Sequence, residues 1–157
     1  MERGATPADT PEYRVLVHVR KGGRPLLLPA GLLPQIVSDP AISPLPGCQS
    51  WFPGVLARRG EMVPVFDIAA EWGDPPMSST RRQVLVIESG DAPFAFLCAA
   101  LPDVIPVAGL AVAAPADQPL PAPARYLSCW RRVATQLVPE FAILRWLSDA
   151  TPRVLRR

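Results

Sequence analysis

Few side chains in this sequence could carry catalysis, and they are not grouped in a recognisable catalytic pattern. Catalysis needs groups that exchange protons or attack a substrate, held close together. The single histidine, His18, lies in an alternating stretch that predicts a solvated strand position. The acidic residues Glu61, Asp67 and Glu71 form no close pair, and Asp67 is expected to cap a turn. No GxSxG, HExxH or Walker sequence occurs. We therefore expect no enzyme and no cofactor; an unfamiliar site using Asp67 or Glu71 is the alternative.

The cysteine content also argues against redox or metal chemistry. The chain has 3 cysteines, Cys48, Cys98 and Cys129, an odd number without a CxxC spacing. A disulfide framework or a metal site is therefore not expected, and buried thiols in a reducing cytoplasm are the simplest interpretation. Cys98 lies in an apolar run, where burial should raise its pKa and leave the thiol unreactive.

The most strongly patterned stretch is residues 51–73, in which two apolar runs flank a charged corner at residues 58–61. Short apolar runs separated by a polar step with glycine predict two strands joined by a tight turn. Gly60 suits the turn because it adopts positive φ without a Cβ clash. Pro64 lacks an N–H for a ladder, so an edge or a bulge is expected there. The corner would present the guanidinium groups of Arg58 and Arg59, which favours recognition over catalysis.

The remaining patterns predict short strands and turns. Residues 13–20 alternate, with Arg14, His18 and Arg20 on the expected solvent face, and a glycine turn follows. We expect an irregular strand over residues 25–37, a helical turn over 67–72, buried strands over 83–88 and 94–101, short strands over 104–107 and 110–112, and a closing amphipathic helix over 141–147. Such spacing indicates an all-β barrel or sandwich.

Composition supports one folded domain and argues against some classes of binding partner. The chain has 157 residues, with 49% apolar, 19% charged, 21 prolines and a net charge of +2. This balance argues against nucleic acid or an anionic membrane as the partner. Residues 92–116 carry only one charge, Asp103, but prolines interrupt them, so buried strands are favoured over a membrane span. We expect a disordered tail over residues 1–11, one domain over 12–148 and a solvated basic tail over 149–157.

The stretch around the charged corner resembles the CheW-like domain of bacterial chemosensory coupling proteins. Residues 12–148 carry the resemblance, and the central motif is its most specific part. The matching positions are Leu45-Pro46, Trp51 or Phe52, Gly54-Val55, Arg59-Gly60, Val63-Pro64-Val65, Asp67-Ile68 and Gly73.

The sequence departs from the family pattern at three places. Ala57-Arg58 stands where the family has Asn-Leu, Cys98-Ala99 where it has Val-Asp, and Pro139 where it has an aliphatic residue. These differences indicate a divergent member. It could serve an alternative chemosensory pathway, such as one that controls pilus-driven motility, with a receptor and kinase that differ from the usual ones.

The resemblance implies a fold of two small five-stranded barrels, SH3-like or OB-like, packed around a shared core. It implies a cytoplasmic adaptor without catalytic activity or membrane insertion, which links chemoreceptor tips to a CheA-type histidine kinase in arrays beneath the inner membrane. The kinase regulatory domain has a similar fold, so a joint ring assembly is expected. The receptor tip would dock in the groove between the barrels near the Arg-Gly corner. The expected partner-binding residues are Val55, Leu56, Arg58, Arg59, Gly60 and Glu61.

The alternative is a small barrel that binds another protein or single-stranded nucleic acid outside chemosensory signalling. The near-neutral charge and the lack of interleaved aromatic and basic residues weigh against nucleic acid. Salt-sensitive retention on single-stranded DNA would favour it.

Overall fold

The computed structural model describes residues 12–77, 83–88, 92–107 and 109–156. In these residues the elements are, in order, β1 (Glu12–Val17), β2 (Leu26–Leu27), β3 (Gln35–Ser38), β4 (Ile42–Ser43), β5 (Gly54–Arg58), β6 (Glu61–Phe66), α1 (Ile68–Glu71), β7 (Gln83–Ile87), β8 (Phe94–Cys98), β9 (Asp103–Val107), β10 (Leu127–Val133), β11 (Gln136–Phe141) and α2 (Ile143–Ala150). Short 3-10 turns at Ala124–Tyr126 and Thr151–Arg153 flank the last strands and follow α2.

The strands form two curled sheets, and the chain passes from the first to the second and back. The first sheet has the order β10-β11-β2-β1-β9, and the second has the order β3-β7-β8-β6-β5-β4. The predicted fold of two barrel-like subdomains is therefore confirmed. The second sheet has six strands where five were expected, because the two-residue strand β4 pairs with β5.

Three clusters of buried side chains explain how the two sheets hold together. One cluster belongs to the first sheet alone and includes Leu16 and Leu27. A second belongs to the second sheet alone and includes Leu56 and Leu97. The largest joins residues of both sheets with α2, and we call it the shared core. Burial of apolar surface stabilises a fold by about 25 cal/mol per Å². Because the shared core is the largest of the three clusters, it is the main link between the barrels.

Strands β7 and β8 lie in the middle of the molecule and are covered on both faces. Val84 and Val86 point into the core of the second barrel, whereas Leu85 and Ile87 point into the shared core. This is why the sequence there is a continuous apolar run, as predicted, and not an alternating one.

Strand β1 differs from the prediction at Arg14, which is buried and not solvated. Its Nε donates to the carbonyl of Leu28 at 3.1 Å, and its other nitrogens donate to Glu12 and Glu140. These partners compensate the charge where the strand passes between β2 and β9. Tyr13, expected to face the core, is instead exposed.

Residues 92–116 hold β8 and β9, but only β8 is buried throughout. Four of the five residues of β9 are exposed or half-buried, so the prediction of a second buried strand is wrong. β9 lies at the end of the first sheet, where a neighbouring strand covers it on one side only. No helix in the described residues is long and apolar enough to cross a membrane. The strand expected over 110–112 is reduced to one bridge between Val112 and Trp130.

Strand β6 is an interior strand of the second sheet, but at Pro64 it pairs only with β5, because its ladder with β8 covers only Val65 and Phe66. The expected edge is therefore present locally at Pro64. One other prediction needs correction. The closing helix runs to Ala150, so the expected tail from residue 149 does not begin there, and the residues after it pack against the fold. The tail expected over residues 1–11 lies outside the described residues, as do residues 78–82 and 89–91.

Candidate functional site

The charged corner is the tip of an antiparallel hairpin formed by β5 and β6, as predicted. Arg58 pairs with Glu61, which leaves Arg59 and Gly60 as a two-residue turn. The φ angles of Arg59 and Gly60 are 51° and 76°, and such turns need positive values at both central positions. We refer to residues 58–61 as the hairpin tip. Its short turn fixes the backbone that carries the two arginines.

The two arginines of the hairpin tip have different environments. Arg58 is largely covered, and its Nη1 lies 2.7 Å from Oε1 of Glu88. Arg59 is 67% exposed and approaches the same carboxylate oxygen only to 3.5 Å. Exposed ion pairs contribute about 0–1 kcal/mol, so Glu88 holds Arg59 weakly. Arg58 is therefore a structural cation, and Arg59 is the one available to a partner.

Val55 and Leu56 do not provide the exposed apolar surface that the sequence predicted at this site. They are only 9% and 6% exposed. Val55 packs into the shared core, and Leu56 packs into the core of the second barrel. Strand β5 thus lies between two cores, and both faces of its first half are used for folding.

The exposed apolar surface of the hairpin comes instead from Ala57 and Met62. These residues are cross-strand partners, and Met62 is 62% exposed. Because side chains alternate along a strand, they share a face with Val55 and Phe66, which pack into the shared core. The face that joins the barrels at the hairpin base therefore continues as open surface towards the tip. The sequence signal for the exposure of Met62 is its position one residue before Val63 and three before Val65, which places it on the opposite face from these two buried valines.

The acidic residues beside the hairpin are committed to structure. Asp67 is the N-cap of α1: one carboxylate oxygen accepts from the amide of Ala70 at 3.3 Å and the other from that of Met77 at 2.8 Å. Glu71 accepts from the indole Nε1 of Trp146 at 3.4 Å and pairs with Arg153 at 2.6 Å. The predicted capping role of Asp67 is confirmed. With their oxygens engaged, neither carboxylate offers a poised base.

The three thiols are free and differ in burial. Burial raises the pKa of Cys98 to about 11, and its thiol donates to the carbonyl of Gln83 at 3.5 Å. Cys48 is also buried, and Cys129 is exposed. No group of three or more histidine, cysteine, aspartate or glutamate residues is placed to hold a metal within the part of the chain that the structure describes.

A surface cavity of about 520 Å³ lies beside the hairpin base and not at its tip. Prolines line much of it, together with Ile42, Ser50, Asp67, Met77 and Leu97. Its wall is therefore of mixed polar and apolar character. It does not bring the predicted site residues together.

Comparison with solved structures identifies a protein with a similar fold. The crystal structure of the scaffolding protein TtCheW from Thermoanaerobacter tengcongensis superposes with a TM-score of 0.67. The match covers 84% of this chain and 89% of that protein, at 16% sequence identity. At this identity the likeness shows the fold.

Sequence comparison gives a local relative and a family. Protein PilI of Pseudomonas aeruginosa is 35% identical over 74 residues, which are 46% of this chain and 41% of that protein's length. The family model described as the CheW-like domain matches residues 15–128. This match spans both sheets from β1 into β10 and includes the whole hairpin. The chain therefore belongs to the CheW-like domain family.

Proposed function

We propose that this protein is a cytoplasmic, non-enzymatic adaptor that couples a chemoreceptor to a CheA-type histidine kinase. The observation that carries the proposal is the hairpin tip, where a rigid turn presents Arg59 beside the exposed Ala57 and Met62. Membership of the CheW-like family supports a coupling and scaffold role. Such a surface transmits signals by contact and needs no chemical step.

The receptor surface consists of Ala57, Arg59, Gly60, Glu61 and Met62. A guanidinium forms directional hydrogen bonds with carboxylates or carbonyls at the end of a helix, and the methionine adapts to an apolar neighbour. Arg58 contributes indirectly, because its ion pair with Glu88 ties the hairpin to the end of β7. Val55 and Leu56 support the hairpin from within the cores.

The kinase would be bound through a further surface, in an assembly with the kinase regulatory domain. The related fold of that domain, implied by the family resemblance, makes a joint ring the expected arrangement. We propose a pathway that controls pilus-driven motility. Two observations favour it: the three departures from the family pattern and the local identity to PilI.

The first test is affinity purification of the full chain from its native cell, with identification of co-eluting proteins. A chemoreceptor and a CheA-type kinase should co-elute.

The receptor's cytoplasmic tip fragment is then titrated against wild type, Arg59→Ala, Arg59→Glu and the control Arg132→Glu. Arg132 is an exposed arginine on β10, in the other barrel, and the control makes the same change of charge.

We expect Arg59→Glu to weaken receptor binding about tenfold to a hundredfold, because a central interface residue contributes about 1–3 kcal/mol. Arg132→Glu should leave the affinity unchanged. Equal affinity of wild type and both Arg59 variants would remove the site assignment. Absence of both receptor and kinase from the eluate would refute the coupling role.

A further inference from the structure

After the 3-10 turn at Thr151–Arg153, the chain pairs around Leu155 with a segment before the hairpin. Residues 151–156, the C-terminal segment, lie beside residues 47–49, the docking edge. Leu155 forms an antiparallel bridge with Cys48. The amide of Gln49 donates to the carbonyl of Val154 at 2.8 Å, and the amide of Arg156 donates to that of Gly47 at 2.7 Å. This is strand addition carried out within one chain.

An arginine fixes the C-terminal segment to the body of the protein. Arg153 Nη2 lies 2.6 Å from the carboxylate of Glu71, whose side chain is only 6% exposed. The Arg153 guanidinium carbon lies 5.7 Å from the ring centre of Trp51, within the range of a cation–π contact. The site thus holds a buried acceptor and an aromatic surface that together select a cation.

The next residue supplies an apolar anchor. Val154 is half-buried and packs against the shared core, whereas Leu155 is exposed and points away. A surface depression of about 530 Å³ continues alongside, lined by Gln49, Trp51, Pro152, Arg153 and Leu155. Arg153 ends a 3-10 turn and Val154 is still helical, so only the residues around Leu155 pair with the docking edge. The segment in place therefore defines the chemistry that fits: an arginine at the end of a helical turn, followed directly by an aliphatic residue.

We propose that the docking edge, with Glu71 and Trp51, is a peptide-binding site for segments in which an arginine at the end of a helical turn is followed by an aliphatic residue. In the isolated protein its own C-terminal segment occupies the site. Two backbone hydrogen bonds, one half-exposed ion pair, the Trp51 contact and the half-buried Val154 hold that segment. These contacts are few enough for a competing segment to replace it. A tethered segment acts at an effective concentration in the millimolar range, so a competitor binds well only when the cis contact is weakened.

Backbone hydrogen bonds connect the docking edge to the hairpin. The amide of Phe52 donates to the carbonyl of Gln49 at 3.0 Å, and that of Asp67 donates to the carbonyl of Trp51 at 2.9 Å. Residues 51 and 67 stand just before β5 and just after β6. A strand on the docking edge therefore contacts the chain that forms the hairpin base. The site itself can be tested without a receptor or kinase.

The test uses the full chain with Arg153→Glu, which places two carboxylates together and should release the C-terminal segment. The probe is an acetylated and amidated peptide with the sequence of residues 151–156, TPRVLR. The control peptide, TPEVLR, has glutamate in place of arginine. Binding is measured by titration, and release is measured by hydrogen exchange at the amides of Gln49 and Arg156. Arg156→Pro is the second variant: it removes the amide that donates to Gly47, and it leaves Arg153 and its ion pair with Glu71 in place.

We expect the TPRVLR peptide to bind the Arg153→Glu protein about tenfold or more tightly than wild type, because wild type competes in cis. The control peptide should not bind, and exchange at Gln49 should accelerate in both variants while β7 and β8 stay protected. Released segments without peptide binding would overturn the proposal. Equal peptide affinity for wild type and variants, or unchanged exchange at Gln49, would overturn it as well.

Discussion

Arg59 adopts a backbone conformation that few residues other than glycine accept. Its φ of 51° costs about 1–2 kcal/mol for an L-residue, and the surrounding hairpin must compensate for this. As a result, the turn sets the direction in which the Arg59 cation points. Arg58 has the opposite character, since its guanidinium is tied to Glu88. Two adjacent residues of one type thus have different roles.

The three cysteines should also differ in reactivity, because their local environments differ. We predict that one thiol, Cys129, reacts quickly with Ellman's reagent at pH 8 in the native protein, because it alone is exposed. Cys98 should react only on unfolding, since its burial raises its pKa to about 11. Cys129→Ser should abolish the fast phase. A remaining fast phase in that variant would contradict the assigned burial.

The raised pKa of Cys98 also has a consequence for stability. Its folded pKa lies above the usual value of 9.0, so the folded state binds the thiol proton more tightly. This contribution is complete below pH 9 and is lost as pH rises towards 11. The free energy of unfolding should therefore fall over that range, and less so in Cys98→Ala.

The hairpin depends on a close approach between β4 and β5. Gly54 has φ 145°, and an added Cβ would clash with the carbonyl of Ser43 and lie 2.9 Å from Cα of Pro44. Only a residue without a side chain lets β4 pair with β5 there. Gly54 thus fixes the position of the sixth strand of the second sheet.

We predict that Gly54→Ala lowers the free energy of unfolding by about 3 kcal/mol or more, through backbone strain and the clash. The control is Gly31→Ala, because Gly31 also has positive φ, 84°, but has open space around its Cβ position. That control should lose about 1–2 kcal/mol. Urea denaturation measures both. Equal losses would show that the approach of β4 does not constrain the position.

The shared core makes the two barrels one thermodynamic unit. It contains β1 and β2 residues of the first sheet, β7 and β8 residues of the second, and three side chains of α2. Phe66 packs edge-to-face on both Phe52 and Trp146, with ring centres 5.3 and 5.5 Å apart. Neither sheet can leave this core without exposing the other.

We therefore predict a single unfolding transition, even when a mutation lies in only one barrel's own core. Leu27→Ala in the first barrel and Leu97→Ala in the second are a matched pair, since each leucine is at most 2% exposed. Each should lower the free energy of unfolding by about 2–5 kcal/mol. Circular dichroism and tryptophan fluorescence should give coincident transitions in both variants. Two separate transitions, with only one shifted, would contradict the coupling.

Features that depend on neighbours along the chain could be predicted from the sequence. The turn at Arg59-Gly60, the cap of α1 at Asp67 and the buried run of β7 follow from turn chemistry, capping and the period of apolar residues. These are interactions within a few residues, so a single sequence reports them. The family resemblance rested on the same local motif.

Which faces are covered depends on contacts between distant parts of the chain. Arg14 is buried because it pairs with Glu140, which is 126 positions away in the sequence. Glu71 likewise pairs with Arg153, which is 82 positions away. Val55 and Leu56 are hidden because two cores meet at β5, and Met62 is free because neither core extends so far. A local pattern gives the period of side chains along a strand, but the partner on each face comes from distant parts of the chain.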